Sequence, residues 1–152
     1  MIKKNILLVT IFLALTSCGY QAILSSQESI FTLQKIDIVE QNNINIKIKN
    51  LLKIYQNTKN KTKFYNIIIS SNKFKATLSK DSKGDPKILA INITVKINIF
   101  ENSYSKGEKT FLQSTSYKNE VNKFKLSQYE EKIEENLINK ITEEIIIYLH
   151  SI

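Results

Sequence analysis

Leu89-Ala90-Ile91-Asn92-Ile93-Thr94-Val95-Lys96-Ile97-Asn98-Ile99 is the stretch that decides the fold. Large aliphatic residues hold every odd position, and alanine, asparagine, threonine and lysine hold the even ones. A period of two sends successive side chains to opposite faces of an extended chain, so this is a strand with one apolar and one polar face. Upstream, Asp81-Ser82-Lys83-Gly84-Asp85-Pro86 has strong turn chemistry. Before it, residues 66–71 and 74–79 read as extended, with Phe74, Ala76 and Leu78 on one face. Ser71-Asn72 between them reads as a bulge in one long strand. Downstream, residues 102–107 read as a second turn and residues 109–117 as the next strand. Three consecutive strands joined by hairpins make an antiparallel meander with one wet face.

The flanks supply what covers the other face. Phe31, Leu33, Ile36, Ile38 and Val39 support a first strand over residues 31–40, broken by Gln41-Asn42-Asn43, where asparagine suits a helix N-cap. Ile44, Ile48, Leu51, Leu52 and Tyr55 fall at helical spacing and predict a helix over residues 44–56, although Ile44, Ile46 and Ile48 also fit a strand. A polar, basic connection follows over residues 57–63. Near the C-terminal end, Ser127-Gln128-Tyr129-Glu130 matches a capping box. Tyr129, Ile133, Leu137, Ile141, Ile145, Tyr148 and Leu149 then form an apolar helical stripe. Glu130, Glu131, Glu134 and Glu135 are placed by this reading near the positive helix start, where acids are favourable. The expected fold class is α+β: a small mixed or antiparallel sheet of about four strands, two helices packed on one face, and the order β-α-β-β-β-α.

Composition sets further bounds. The 152-residue chain is 42% hydrophobic and 24% charged, ordinary values for one globular domain. All 22 basic residues are lysine. Residues 35–125 carry 18 lysines against 7 acids, a balance of +11, whereas residues 126–152 carry 2 lysines against 6 acids, a balance of −4. A basic body suits a surface that meets phosphates or anionic head groups, and equally a solvated, lysine-coated sheet. Lysine meets phosphate as a mobile point charge rather than as a bidentate fork, so anion recognition here is diffuse and salt-sensitive.

Little points to catalysis. His150 is the sole histidine, three positions from the end on a turn expected to fray, and reads as a surface residue. No nucleophile elbow, phosphate-binding glycine loop or metal-ligand cluster occurs. Asp81 and Asp85 flank a turn, but Lys80, Lys83 and Lys87 around them exclude calcium. The chain is read as no enzyme, with no cofactor, no metal and no nucleic-acid partner.

The N-terminal segment places the protein. Lys3 and Lys4 precede an apolar run over residues 6–15, broken only by Thr10, and then Leu15-Thr16-Ser17-Cys18. A cationic start, a short apolar stretch and small residues before a cleavage point make a secretory signal. The run is too short to span a bilayer, which takes roughly 20 residues. A lone cysteine at that point is what a lipoprotein signal requires: its thiol takes a diacylglyceryl group and the peptide is cut before it. The expected organisation is a signal peptide over residues 1–17, a lipidated tether over 18–30 and a single domain over 31–152. Each buried acyl methylene contributes about 0.8 kcal/mol, so two or three chains attach the protein lastingly. Gly19, rather than an aspartate, follows Cys18, and outer-membrane localisation on the periplasmic side is the expectation.

Cys18-Gly19-Tyr20 at one end, and Ser116-Tyr117-Lys118-Asn119, Phe124 and the helix with Tyr129, Ile133, Ile141 and Leu149 at the other, resemble the LPS-assembly lipoproteins of the LptE type, most closely their alphaproteobacterial members. The order of elements extends the resemblance over the whole mature chain. It implies a non-enzymatic role as a plug inside an LptD-type outer-membrane β-barrel, assisting barrel assembly and the delivery of lipopolysaccharide to the outer leaflet. Beside that resemblance, Cys18 is the lipidation site, and Lys73, Lys75 and Lys96 are candidate contacts for an anionic ligand because they are lysines on predicted strands. The alternative is an auxiliary lipoprotein of an ABC-type envelope lipid or organic-acid transport system, which shares the anchor and a small α/β domain.

Overall fold

A computed structural model describes residues 29–152, so the signal segment, Cys18 and most of the tether lie outside the described residues. The fold is α+β: a four-stranded mixed sheet with two helices. The elements are β1 (Phe31–Ile38), α1 (Asn43–Leu52) with a 3-10 turn (Lys53–Tyr55), β2 (Lys63–Lys80), β3 (Pro86–Glu101), β4 (Tyr104–Lys118) and α2 (Lys123–Ser151). Strand order follows chain order. β1 pairs parallel with β2, while β2–β3 and β3–β4 are antiparallel. Parallel neighbours need a crossover, and α1 supplies it.

The alternation in β3 sets the core. Ile91, Ile93, Val95, Ile97 and Ile99 are buried, facing the helices, while the even residues between them stay partly exposed. α2 answers with Ile133, Leu137, Ile138, Ile141, Ile145 and Leu149, all buried, and α1 adds Ile44, Ile48 and Leu52. Each such side chain contributes about 1.5–3 kcal/mol of transfer free energy when fully buried. At one end of the sheet, which we call the base, an aromatic group closes this core. Phe31 stacks on Tyr55 with ring centroids 5.3 Å apart, and His150 meets Phe31 edge-on at 5.0 Å. His150 is therefore half-buried in packing, not on a frayed turn, because α2 stays helical through Ser151.

Several boundaries differ from the sequence expectation. Ser71 and Asn72 stay in unbroken register with Val95 and Thr94; the slips fall at Thr77–Ser79 and Ser79–Lys80 instead. β1 pairing ends at Ile38 opposite Ile69, so Ser71 and Asn72 are simply polar residues where β2 runs out beside water. The β3–β4 connection is two residues long, Asn102 and Ser103, both at positive φ (49° and 71°). Such a pair matches the right-handed twist of the joined strands. Gly107 belongs to β4, near a register slip between Ile99 and Phe100. At the N-terminal side, Ser29 is buried and Ile30 O accepts hydrogen bonds from Thr62 N and Lys63 N, so the last two residues assigned to the tether are part of the fold.

The largest correction concerns α2. It begins at Lys123 with Asn122 as N-cap, whose side chain accepts from Lys125 N at 3.1 Å, and its first turn holds no acid. Ser127 lies in the second turn, so the Ser127–Glu130 pattern is not a cap. Asn42 plays the capping role for α1, accepting from Asn45 N at 2.8 Å. Asn122→Ala is expected to cost about 1 kcal/mol in urea unfolding, whereas Ser127→Ala changes stability by no more than about 0.5 kcal/mol; the reverse ranking would restore the capping box.

Candidate functional site

The sheet has two chemically distinct faces, and the three lysines singled out from the sequence are divided between them. Lys73 and Lys75 lie opposite Ile93 and Ile91, on the face that carries the helices. Lys96 lies opposite Ser70 and Thr110, on the open face. The structure thus brings Lys73 and Lys75 together and separates them from Lys96.

Beyond the end of β1, lysines take the place of isoleucines along the helix-facing row of β2, and α2 presents glutamates to them. Lys73 Nζ donates to Glu134 Oε2 at 2.6 Å, and the other oxygen of Glu134 accepts from Asn43 Nδ2 of α1 at 3.1 Å. Glu134 is 8% exposed, so one buried carboxylate joins β2, α1 and α2. One helical turn earlier, Lys75 Nζ donates to Glu130, which also accepts from the Tyr117 hydroxyl of β4 at 2.6 Å. The spacing explains the double contact. Two strand residues rise about 6.7 Å and four helical residues about 6 Å, so lysines two apart meet glutamates four apart on an element running the opposite way.

The contacts of Glu130 alter its carboxyl and the Tyr117 phenol in opposite senses. Burial alone would raise the Glu130 pKa, but the hydrogen bonds from Lys75 and Tyr117 together with the Lys75 and Lys73 charges outweigh it, and the carboxyl titrates below its ordinary value. Burial, then the bond to Glu130 and its negative charge, pushes the Tyr117 hydroxyl well above the usual phenol range. The acidic run that the sequence reading assigned to helix capping is thus, at Glu130 and Glu134, an ionic clasp between layers. The residues missed were the glutamates as partners; their i, i+4 spacing against an i, i+2 pair of lysines was the available signal.

On the open face, Lys96 pairs with Glu108 at 2.7 Å, both side chains about half exposed. Ser114 Oγ donates to Asn92 Oδ1 at 2.7 Å nearby. Single exposed apolar residues interrupt this polar field, with Phe74 at 63% and Leu112 at 62% exposure. At the tip, the end of the sheet away from the base, a solvent-open cleft of about 780 Å³ lies between the Asp81–Asp85 hairpin and the start of α2, with Lys87, Leu89, Lys123 and Leu126 among its lining residues. Asp81 Oδ1 is engaged by Lys83 N and Asp85 N, both at 2.9 Å, which closes the turn. Among the described residues no group of three or more His, Cys, Asp or Glu side chains is placed to hold a metal ion, and no helix is long and apolar enough to cross a membrane.

No family model matches the chain, and no curated protein matches it in sequence. In three dimensions it is similar to rare lipoprotein B from Shewanella oneidensis, at 12% identity and a TM-score of 0.60, over 79% of this chain and 95% of that one. A minor lipoprotein from Acinetobacter baumannii is similar at 15% identity and a TM-score of 0.58, over 79% and 90% of the two chains. A putative lipoprotein from Caulobacter crescentus is similar at 9% identity and a TM-score of 0.59, over 83% and 93%. The likeness establishes a shared fold, an α+β sheet-and-two-helix architecture that spans nearly all of each neighbour.

Because Glu130 titrates lower in the folded than in the unfolded chain, its contribution is complete above the ordinary carboxylate range and is lost as pH falls through that range toward the folded pKa. Thermal midpoints are therefore expected to fall more steeply between about pH 5 and pH 3 in the parent than in Glu130→Gln; parallel curves would remove the clasp's role. A Lys73→Met, Glu134→Gln double-mutant cycle in urea is expected to give a coupling of about 0.5–3 kcal/mol, and additivity would mean the pair contributes nothing specific.

Proposed function

We propose that this chain is an outer-membrane lipoprotein, held by acyl chains on Cys18, that plugs an LptD-type β-barrel and assists lipopolysaccharide transport and assembly without catalysing a reaction. The observation that carries the reading is the fold shared, over 79–83% of this chain, with three bacterial proteins named as lipoproteins, taken with Leu15-Thr16-Ser17-Cys18-Gly19-Tyr20 in this chain.

The physical form supports it. β3 alone, at 16 residues, is about 50 Å long, enough to traverse the 40–45 Å of a bilayer with its head groups. A barrel interior is polar, so a plug needs a polar outer surface with scattered apolar contacts rather than one large greasy patch. The open face of the sheet has that character. Its lysine, Lys96, is the reading's candidate for anionic contact with lipopolysaccharide. Lys96 is itself paired with Glu108, but between half-exposed side chains; Lys73 and Lys75 are engaged by the more buried Glu134 and Glu130, and substituting them would disturb the seating of α2 as well as any ligand.

Affinity isolation of the full-length protein from detergent-solubilised membranes is expected to bring down a large outer-membrane β-barrel, and Cys18→Ser is expected to abolish sedimentation with outer membranes. Recovery with an inner-membrane transporter complex instead would favour the transport-accessory alternative and overturn the plug. Lys96→Glu is expected to weaken lipopolysaccharide binding several-fold at low salt, with the difference shrinking as added salt shortens the screening length to about 3 Å near 1 M; unchanged low-salt binding removes Lys96 from the site.

A further inference from the structure

The base of the molecule carries a feature that the plug reading does not use. It is formed by Ser29-Ile30, the connection over residues 56–62, the Asn102-Ser103 hairpin and the end of α2. Lys53, Lys59, Lys61, Lys63 and Lys106 belong to this end, and among its described residues Glu101 is the single side-chain acid. Lys106 holds that acid at 2.7 Å and lies 5.7 Å from the Tyr65 ring centre, while Lys63 Nζ donates to Ile152 O. The field of this cluster is felt by its neighbour: His150 is held below its ordinary pKa by burial, then by the charges of Lys63 and Lys61. The tip is also basic, but there Lys80, Lys83, Lys87, Lys118, Lys123 and Lys125 are interspersed with Asp81, Asp85 and Glu120.

Apolar side chains stand among these cations. Tyr104, directly after the hairpin, is 81% exposed, and Ile30 is 43% exposed. An amphipathic aromatic ring among lysines has the composition that rests at a membrane–water interface. The direction in which the chain leaves the fold adds a second constraint. Ile30 is bonded to Thr62 and Lys63 at the base, and ten residues separate Cys18 from Ser29. Ten residues reach at most about 35 Å, so a lipid on Cys18 brings the base, rather than the tip, to the bilayer.

We propose that the base is a membrane-docking surface for anionic phospholipid head groups, with Lys59 and Lys61 meeting the phosphates and Tyr104 resting at the interface. The proposal rests on the lipid-anchor reading of Cys18, and it goes beyond the plug by fixing which end of the wedge lies on the leaflet.

The chain contains no tryptophan, so Tyr104→Trp and Phe124→Trp give single reporters at the base and the tip. Full-length protein carrying either substitution is combined with vesicles of phosphatidylglycerol and phosphatidylcholine, and with phosphatidylcholine vesicles alone. The base reporter is expected to shift to the blue and to be quenched by brominated lipid in the anionic vesicles, and the tip reporter to do neither. Adding Lys59→Gln and Lys61→Gln is expected to lower affinity for the anionic vesicles on the order of tenfold in protein whose Cys18 is replaced by serine. An unmoved base reporter, a stronger response at the tip, or equal responses in neutral and anionic vesicles overturns the proposal. The intact mass of the membrane-purified protein separates the two readings. A bare Cys18 ends the anchor reading, while the base reporter in the Cys18→Ser background still decides the docking surface. Acyl chains on Cys18 with an unmoved base reporter end the docking surface alone.

Discussion

The row of β-branched side chains on one face of β3 is the constraint from which the rest of the architecture follows. Five buried positions, Ile91, Ile93, Val95, Ile97 and Ile99, form an apolar strip that water cannot be left to cover. The 29 residues of α2, about 43 Å of helix, cover nearly its full length. α1 covers the remainder near β1 and β2, and it lies on the same side because the parallel β1–β2 pairing returns the chain through a crossover. With both helices on one face, the other face of a four-stranded sheet is left to solvent or to a partner. On β3 the residues that face that side at 92, 94, 96 and 98 are accordingly asparagine, threonine, lysine and asparagine.

Toward the tip the hydrophobic logic gives way to an ionic one. β1 ends opposite Ile69, so the remainder of β2 is paired on one side only. Isoleucine would be half exposed there, and the helix-facing row turns to Lys73 and Lys75. Long stems let these lysines cover part of the neighbouring apolar surface while their ammonium groups reach Glu134 and Glu130. Each pair is partly open to water, so its strength is modest. Its larger effect is geometric: two bonds at matched spacing fix the sliding register of α2 on the sheet, which a uniform strip of isoleucine would leave loosely determined.

What the sequence revealed and what it hid follow this division. Alternation through Leu89–Ile99 and the stripe from Tyr129 to Leu149 are burial patterns, and both hold, except at Tyr129, which is 48% exposed, because the hydrophobic effect acts over a whole face. The helix at residues 44–56, open to a strand reading at Ile44, Ile46 and Ile48, is the thirteen-residue run of α1 and its 3-10 turn. The Asn102–Gly107 turn and the Ser127–Glu130 cap were local readings that competed with equally good local chemistry. Asn102-Ser103 suffices for a two-residue hairpin, and Asn122 caps α2 one turn earlier. The pairing of Lys73 with Glu134 spans 61 residues of sequence, and neither partner's charge announces the other. The position of Lys96 on the opposite face from Lys73 is fixed by parity along antiparallel strands, and becomes legible only once the register of β2 against β3 is known.

The two ends of the molecule are closed by different physics. Phe31, Tyr55, Tyr65 and His150 close the base through ring packing, and burial raises the Tyr55 pKa. The tip is closed by groups that titrate or exchange with water: Glu130 with Lys75 and Tyr117, and Asn119 bonded to Pro86 O at 2.8 Å. Local opening follows the density of buried apolar contacts, so the tip opens at lower free energy than the base. Acid protonates Glu130 at the tip, and it also protonates His150 at the base, where burial and then the charges of Lys63 and Lys61 disfavour the imidazolium.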